Sequence, residues 1–124
     1  MANQIEQIDE PVIAININQT YRVGISAEEL YDCTRGIWRV GRDRAATAQF
    51  AFAIYQGNVK EVYEIARWEK EMATEYKYRQ PTPTKLKNRY EFVGKVAPEN
   101  IREKYVGKQM AEPHGQNPIR YYNC

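Results

Sequence analysis

The stretch FAFAIYQGNVKEVYEIARW, residues 50–68, decides the fold of this chain because it contains two strand-like segments and the turn between them. Both arms are rich in β-branched and aromatic residues, and Gly57-Asn58 between them favours a tight turn. The second arm is long, running roughly from Val59 to Trp68. The stretch therefore predicts an antiparallel β-hairpin.

Further strand patterns lie on both sides of the hairpin. The segment PVIAININ places Ile13, Ile15 and Ile17 on one face and more polar residues on the other, which predicts a half-buried strand. Three other segments are strand candidates: IWRV at 37–40, RYEFVGKVA at 89–97 with its glycine interruption, and IRYYN at 119–123.

Three segments have helix signals. Ser26 and Glu29 form a capping-box pattern, which predicts a helix that starts after Ser26, runs to about Thr34 and stops at Gly36 as a C′ glycine. The alanine-rich segment 41–49 is helix-prone. In PENIREKYVG, Pro98 suits the first helical position and Gly107 suits the end.

The count of elements predicts an α+β fold. About six strands and three short helices follow one another in mixed order, which argues against a doubly wound parallel sheet. We expect a small, strongly curved mixed sheet or β-barrel with flanking helices. Residues 1–10 are interpreted as a polar N-terminal tail and residues 11–124 as a single domain. The PTPT at 81–84 breaks regular structure, so a basic excursion loop is expected at about 72–88.

Several classes of chemistry lack the residues they need. The chain has one histidine and two cysteines, which cannot form a four-ligand structural zinc site. Phosphate-loop and dinucleotide-binding motifs are absent from the sequence, and Ser26 is its sole serine. We therefore assign no catalytic residue, metal or cofactor. The polar, acidic start and the lack of an apolar run of about 18 residues predict a cytoplasmic protein without a membrane partner.

The net charge of +2 is uninformative, but basic residues cluster in two places. The first cluster, TRGIWRVGRDR at 34–44, holds Arg35, Arg39, Arg42 and Arg44 around Trp38. Some of this charge suits helix ends, and the remainder suits phosphate because the guanidinium donates a planar pair of hydrogen bonds. The predicted ligand-binding residues are Arg35, Trp38, Arg39, Trp68, Asn117 and Arg120, with Trp38 and Trp68 as two sides of an aromatic pocket.

The second basic cluster is YKYRQPTPTKLKNRY at 76–90, which contains no acidic residue. Basic side chains neutralise phosphates and aromatic rings stack on bases. The predicted backbone-contacting residues are Lys77, Arg79, Lys85, Lys87 and Arg89, and the predicted stacking residues are Tyr76, Tyr78 and Tyr90. An ordinary exposed loop whose lysines maintain solubility explains the same composition, so both interpretations stay open.

Three pieces of the chain also carry a family resemblance: the start RGIWRV, the hairpin AFAIYQGNVKEVY and the end QNPIRYYNC. Over roughly residues 26–124 the chain resembles a small accessory domain found with bacterial and phage GIY-YIG nucleases. The nuclease motif is missing, so the resemblance does not imply nuclease activity. The layout is also similar to PUA-like domains of the EVE and ASCH type. That similarity implies a small curved β-barrel that holds RNA or a modified base in an aromatic-lined cleft.

The leading hypothesis is a non-enzymatic domain that binds nucleic acid or a modified base. A second hypothesis is a protein that binds or sequesters a nucleotide signal such as a cyclic dinucleotide in phage or bacterial defence. A third is a metal-dependent nucleotide or nucleic-acid hydrolase that uses Glu61 or Glu64. A protein-interaction module and a homo-oligomer also stay open.

Overall fold

The computed structural model describes residues 4–36, 38, 42–70, 90–111 and 118–124. The elements in chain order are β1 Val12–Asn16, α1 Ala27–Arg35, α2 Arg42–Thr47, β2 Phe50–Tyr55, β3 Asn58–Lys70, β4 Tyr90–Val96, α3 Glu99–Tyr105 and β5 Ile119–Tyr122. The predicted α+β class is therefore confirmed for the described part of the chain. The expected excursion loop at 72–88 lies outside it.

The strands form one five-stranded mixed sheet in the order β4-β3-β2-β1-β5. Strands β1 and β2 are parallel, whereas the other neighbouring pairs are antiparallel. The sheet is open, so the barrel alternative is wrong for the described strands: β4 and β5 end the sheet on opposite sides and do not pair with each other. Of the expected sixth strand at 37–40, only Trp38 is described, and it forms a single antiparallel bridge with Tyr90.

The predicted hairpin of β2 and β3 is confirmed. Its two loop residues are Gln56 and Gly57, whose φ angles are 49° and 80°, and Tyr55 pairs with Asn58 across the turn. The turn therefore lies one residue earlier than expected. Positive φ at both loop positions matches the right-handed twist of the strands, and glycine adopts it without a steric penalty.

Two irregularities in β3 change which way its side chains face. Val59 pairs with Ile54 and Glu61 with Ala53, which leaves Lys60 as an extra residue. Further along, Ile65 pairs with Gly94 and Arg67 with Val93, which leaves Ala66 as a second extra residue. Each bulge shifts the alternation of side chains by one position.

Both faces of the sheet are covered. Helix α3 and residues 4–8 pack on one side, here called the α3 face, whose buried residues are Ile5, Val12, Ala14, Phe50, Phe52, Ile54, Val59, Val62, Ala97, Tyr105 and Met110. Helices α1 and α2 pack on the other side, the α1 face, whose buried residues are Ile13, Ile15, Ile17, Ala45, Ala48, Ala51, Ala53, Tyr63, Phe92 and Ile119. Burial on both faces is typical of a strand pair joined through helices, as β1 and β2 are.

Two expectations from the N-terminal half need correction. Strand β1 is not half-buried, because Val12 through Ile15 are fully buried between β2 and β5 with cover on both faces. Residues 4–10, expected as a polar tail, lie against the domain: Ile5 is 5% exposed, and its backbone N–H donates to the carbonyl of Gln109 at 2.8 Å. The isoleucines at positions 5 and 8 give this segment an apolar side that packs into the α3-face core.

The helix boundaries agree closely with the sequence signals. Ser26 is the N-cap of α1, with its Oγ accepting from the backbone N–H of Glu29 at 3.1 Å, and Gly36 follows the last turn. Gly36 has an extended backbone with a φ of 179°, so it does not form the left-handed C′ cap that we expected. Pro98 lies at the N-cap position of α3, one residue before the first helical position that we expected, and makes no side-chain capping hydrogen bond. Gly107 follows the end of α3 with a φ of 84°. No described helix has the length and apolar character that a membrane crossing requires.

Candidate aromatic binding site

Trp38 is held rigidly beside the end of α1. Its backbone N–H and carbonyl each form a 2.9 Å hydrogen bond with Tyr90, which places it next to the start of β4. Its indole Nε1 donates to the carbonyl of Thr34 at 2.7 Å. Carbonyls in the last turn of a helix have no partner within the helix, so this bond also caps α1. The ring of Trp38 is therefore fixed in orientation while remaining half-buried.

Trp38 belongs to a row of four aromatic side chains at one end of the α1 face. Trp38 lies opposite Tyr90, and Trp68 lies opposite Phe92 in the β3–β4 register. We call Trp38, Tyr90, Phe92 and Trp68 the aromatic row. Phe92 is fully buried and meets Trp68 edge-on at a centroid distance of 5.5 Å, whereas the other three rings are half-buried. The row therefore presents partly open ring surfaces on a fixed base.

Two tyrosines support the row from behind. The ring of Tyr31, on α1, meets Phe92 at 6.0 Å and Tyr63 at 5.3 Å. Its hydroxyl accepts from the backbone N–H of Gly94 at 3.0 Å, which ties α1 to β4. Burial, and then the nearby Glu61, raises the pKa of Tyr63 well above its ordinary value, so its phenol stays neutral within the core.

The indole N–H of Trp68 is the unusual polar group of this site. Its Nε1 is buried and has no hydrogen-bond partner among the described residues. An unpaired buried donor costs about 1–3 kcal/mol, so native structures seldom leave one without a reason. A ligand with an acceptor atom in this place would gain a complete hydrogen bond.

Arg35 has a structural role rather than the expected ligand-binding one. Its Nε lies 3.0 Å from Oδ1 of Asp32, and its Nη1 lies 2.5 Å from Oε2 of Glu91. The side chain also packs 5.6 Å from the ring centre of Tyr31 and is only 4% exposed. Two carboxylates already neutralise its charge, so this guanidinium is not placed to hold a phosphate.

Arg120 lies far from the aromatic row. It is on β5 and pairs with Ala14, which places it on the α3 face at the opposite edge of the sheet from β4. Four strand spacings of about 4.8 Å separate the two edges by roughly 19 Å. The single cleft expected for Arg120 and the two tryptophans is therefore not formed.

The remaining predicted residues have different outcomes. Arg44 belongs to the first basic cluster but was not predicted to bind ligand; its guanidinium lies 4.1 Å from the ring centre of Tyr121 and donates to the carbonyl of Cys124 at 3.2 and 3.1 Å, which joins β5 and Cys124 to α2. Tyr90, a predicted stacking residue, belongs to the aromatic row. The predicted residues outside the described ranges are Arg39, Tyr76, Lys77, Tyr78, Arg79, Lys85, Lys87, Arg89 and Asn117.

The aromatic row lies where the described parts of β3 and β4 end. Lys70 and Tyr90 are the last described pair of these strands, so the two residues that flank the segment 71–89 lie side by side in the sheet. Tyr90 is also a member of the row. The acid-free segment 76–90 is therefore connected directly to the row.

Comparisons of the chain with protein-family models, with curated proteins and with solved structures found no match. The likeness to the nuclease-associated domain thus rests on the three sequence pieces alone, and the likeness to PUA-like domains rests on the predicted layout of elements alone. The functional argument has to come from the geometry of the site.

Two open clefts lie elsewhere, on the α3 side of the molecule. One of about 190 Å³ is lined by residues 5–8 with Met110, Ala111, Tyr122 and Asn123, and another of about 610 Å³ by residues 4–7 with Lys104, Tyr105 and Lys108. None of the predicted site residues lines either cleft. Stacking of bases needs exposed ring surface rather than an enclosed cavity, so we place the candidate site at the aromatic row.

The sequence identified both tryptophans but missed their supporting residues. Tyr31, Tyr63 and Phe92 were assigned no role at the site, although they form its floor. Regular alternation over β3 would place Tyr63 and Trp68 on opposite faces, because they are five positions apart. The bulge at Ala66 brings both to the α1 face. The only sign of this bulge in the sequence was the glycine that interrupts the strand segment EFVGKV, since Gly94 lies opposite the bulge.

The carboxylates suggested for hydrolysis are not arranged as a metal site. Both oxygens of Glu61 are held by Arg102, at 2.8 Å to Nε and 3.3 Å to Nη2. Hydrogen bonding to Glu61 raises the pKa of Arg102, as expected for a close ion pair. Within the described ranges, no group of three histidine, cysteine, aspartate or glutamate residues is placed to hold a metal ion.

Proposed function

We propose that the protein is a non-enzymatic binding domain for nucleic acid or a modified base, and that the aromatic row is its base-contacting surface. One observation carries the proposal: the buried Nε1 of Trp68 has no hydrogen-bond partner among the described residues, within a row of partly open rings at the base of the acid-free segment. A nucleobase can stack on the open ring faces, and an acceptor atom on its edge can accept a hydrogen bond from the available donor.

The residues of the site have different roles in this proposal. Trp38 contributes only its ring, because its own N–H is already bonded to Thr34. Trp68 contributes a ring and a donor. Phosphate contacts come from the basic residues between β3 and β4, since Arg35 is neutralised by Asp32 and Glu91. The proposal keeps one expectation of the PUA-like resemblance, a base held against aromatic rings, but not its closed barrel, because the described sheet is open.

Intrinsic fluorescence tests the proposal directly, because the only two tryptophans of the chain both lie in the aromatic row. The ligands are single-stranded RNA, single-stranded DNA, duplex DNA, oligonucleotides with one modified base, mononucleotides and a cyclic dinucleotide. We expect a saturable change of tryptophan emission with at least one oligonucleotide. If five basic residues contact a single strand, raising salt from about 50 to about 200 mM should weaken binding about 100-fold.

The outcomes of this titration separate the hypotheses. Binding of a strand that weakens with salt supports the proposal. Binding confined to the free mononucleotide or cyclic dinucleotide would replace it with the nucleotide-signal hypothesis. An emission unchanged by every ligand, or an affinity independent of salt, would overturn it.

A separate assay addresses the hydrolase hypothesis. Wild-type protein and Glu61→Gln are incubated with the same ligands and Mg²⁺ or Mn²⁺. We expect no turnover above the buffer control, since Arg102 occupies both carboxylate oxygens of Glu61. Metal-dependent turnover that Glu61→Gln abolishes would contradict a non-enzymatic role.

A further inference from the structure

A second aromatic cluster lies at the other end of β3 from the aromatic row. The rings of Tyr21 and Tyr55 lie 4.4 Å apart between centroids, at an interplanar angle of 37°. The ammonium group of Lys60 lies 5.4 Å from the centre of the Tyr21 ring and 5.9 Å from that of Tyr55. All three side chains are half-buried.

The fold fixes this cluster through a bulge and a turn. Lys60 is the extra residue of the first bulge in β3, and bulges commonly redirect a side chain. The backbone N–H of Tyr21 donates to the carbonyl of Ile17 at 2.9 Å. The side-chain oxygen of Asn18 accepts from the backbone N–H of Gln56 at 2.7 Å, which ties this turn to the hairpin loop. The two rings and the lysine are therefore positioned by local backbone hydrogen bonds.

The charge of Lys60 has no acidic partner in the described part of the chain. The adjacent Glu61 is held by Arg102, and among the described residues the Lys60 ammonium contacts the two tyrosine rings alone. The nearby Arg22 is different, since its Nη2 lies 2.7 Å from Oε1 of Glu29. Lys60 thus supplies an uncompensated positive charge beside two aromatic rings.

We propose that Tyr21, Tyr55 and Lys60 form a second binding site, for a nucleoside 5′-phosphate that is either free or at the end of a strand. The base packs against the open parts of the two rings, and the phosphate accepts hydrogen bonds from the Lys60 ammonium. Lys60 and Trp68 are eight positions apart on β3, about 26 Å at roughly 3.3 Å per residue. This site is therefore separate from the aromatic row and does not depend on the function proposed there.

The expected binding is weak, with a dissociation constant on the order of 0.1–1 mM, because one cation holds the phosphate. We would titrate ¹⁵N-labelled protein with AMP, adenosine and inorganic phosphate and follow the amide signals of Tyr21, Tyr55 and Gly57. AMP should shift these signals saturably. Adenosine and phosphate alone should each bind about 10-fold more weakly or worse, since each makes only one of the two contacts.

Variants test the assignment to Lys60. Lys60→Gln should weaken AMP binding by about 5-fold or more, whereas Lys60→Arg, which keeps the charge, should bind within about 3-fold of wild type. Lys95→Gln is the matched control, because Lys95 is an exposed lysine on β4 away from both tyrosines. Equal AMP affinities for Lys60→Gln and Lys95→Gln would overturn the proposal. So would inorganic phosphate that binds as tightly as AMP.

An oligonucleotide pair distinguishes the two sources of the ligand. One strand carries a 5′-phosphate and the other, of identical sequence, carries a 5′-hydroxyl. If the phosphorylated strand shifts the same three amide signals and binds with higher affinity than AMP does, the site recognises strand ends. If AMP binds at least as tightly as the phosphorylated strand does, the site recognises free nucleotides. Amide signals that move with none of these ligands would contradict the site altogether.

Discussion

Arg35 and Glu91 form a buried ion pair, with 2.5 Å between Nη1 and Oε2, that joins the last turn of α1 to the second residue of β4. Glu91 is fully buried and Arg35 is 4% exposed. Asp32 adds a second carboxylate to the same guanidinium at 3.0 Å. The pair therefore holds the last turn of α1, whose Thr34 carbonyl accepts from the Trp38 indole, against β4, which carries Tyr90 and Phe92.

Loss of Arg35 should destabilise the protein strongly. Arg35→Met leaves the buried carboxylate of Glu91 without this countercharge, and breaking a buried pair in this way costs about 3–5 kcal/mol. The free energy of unfolding from urea denaturation checks the prediction. Arg22→Met is the control, because Arg22 pairs with Glu29 at the surface, and it should cost much less. Equal losses for the two variants would show that the buried pair has no special role.

Gly94→Ala should also destabilise the protein, by about 1–3 kcal/mol. A Cβ atom at position 94 would lie 2.2 Å from the carbonyl oxygen of Glu64, where the strand backbones approach closely beside the bulge at Ala66. The contact is with backbone, so a rotamer change cannot relieve it. Thermal unfolding measures the effect, and Lys95→Ala is the control because Lys95 is the exposed neighbour of Gly94. A melting temperature for Gly94→Ala equal to that of the control would refute the close approach.

The dependence of stability on pH should involve Glu10. Its carboxylate accepts hydrogen bonds from Lys104, at 2.7 Å, and from the hydroxyl of Tyr105. Burial is the largest single influence and opposes ionisation, but these hydrogen bonds together lower the pKa of Glu10 below its ordinary 4.5. A carboxyl group with a lowered pKa stabilises the fold above its unfolded pKa and loses this contribution as pH falls through the folded one.

Glu10→Gln should therefore be less stable than wild type near neutral pH. The difference in unfolding free energy should narrow between about pH 6 and about pH 3, as the wild-type carboxylate becomes protonated. Urea denaturation of both proteins across this range measures it. A difference that stays constant with pH would mean that the charge of Glu10 contributes nothing to stability.

Local signals in the sequence predicted most of the elements. The capping box at Ser26 and the glycine turn at Gly57 depend on neighbouring residues only, and both correctly located an element. The full burial of β1 could not be predicted in this way, because it depends on which strands lie beside it. Packing of Ile5 against the α3 face is likewise a contact between distant parts of the chain.

The site was harder to predict than the fold, because it too depends on contacts between distant parts of the chain. Trp38 and Trp68 were identified from composition, but their common face depends on the bulge at Ala66, which breaks simple alternation. The sequence favours Arg35 as a ligand-binding residue, because its buried partner Glu91 is 56 positions away and leaves no local signal. Residue type indicates the chemistry that a side chain can perform, whereas a tertiary contact decides whether the group is already occupied.

The most direct test of the aromatic row is the affinity for a single-stranded oligonucleotide after removal of one ring. Trp68→Leu, checked for folding by circular dichroism, is compared with wild type at one salt concentration, using a fluorescently labelled strand. Tyr122→Leu is the control, because Tyr122 is an aromatic residue that packs on the α3 face. We predict that Trp68→Leu weakens binding by about 5- to 150-fold, the range for one stacked base, and that Tyr122→Leu leaves the affinity unchanged. Wild-type affinity in a folded Trp68→Leu variant would contradict the account.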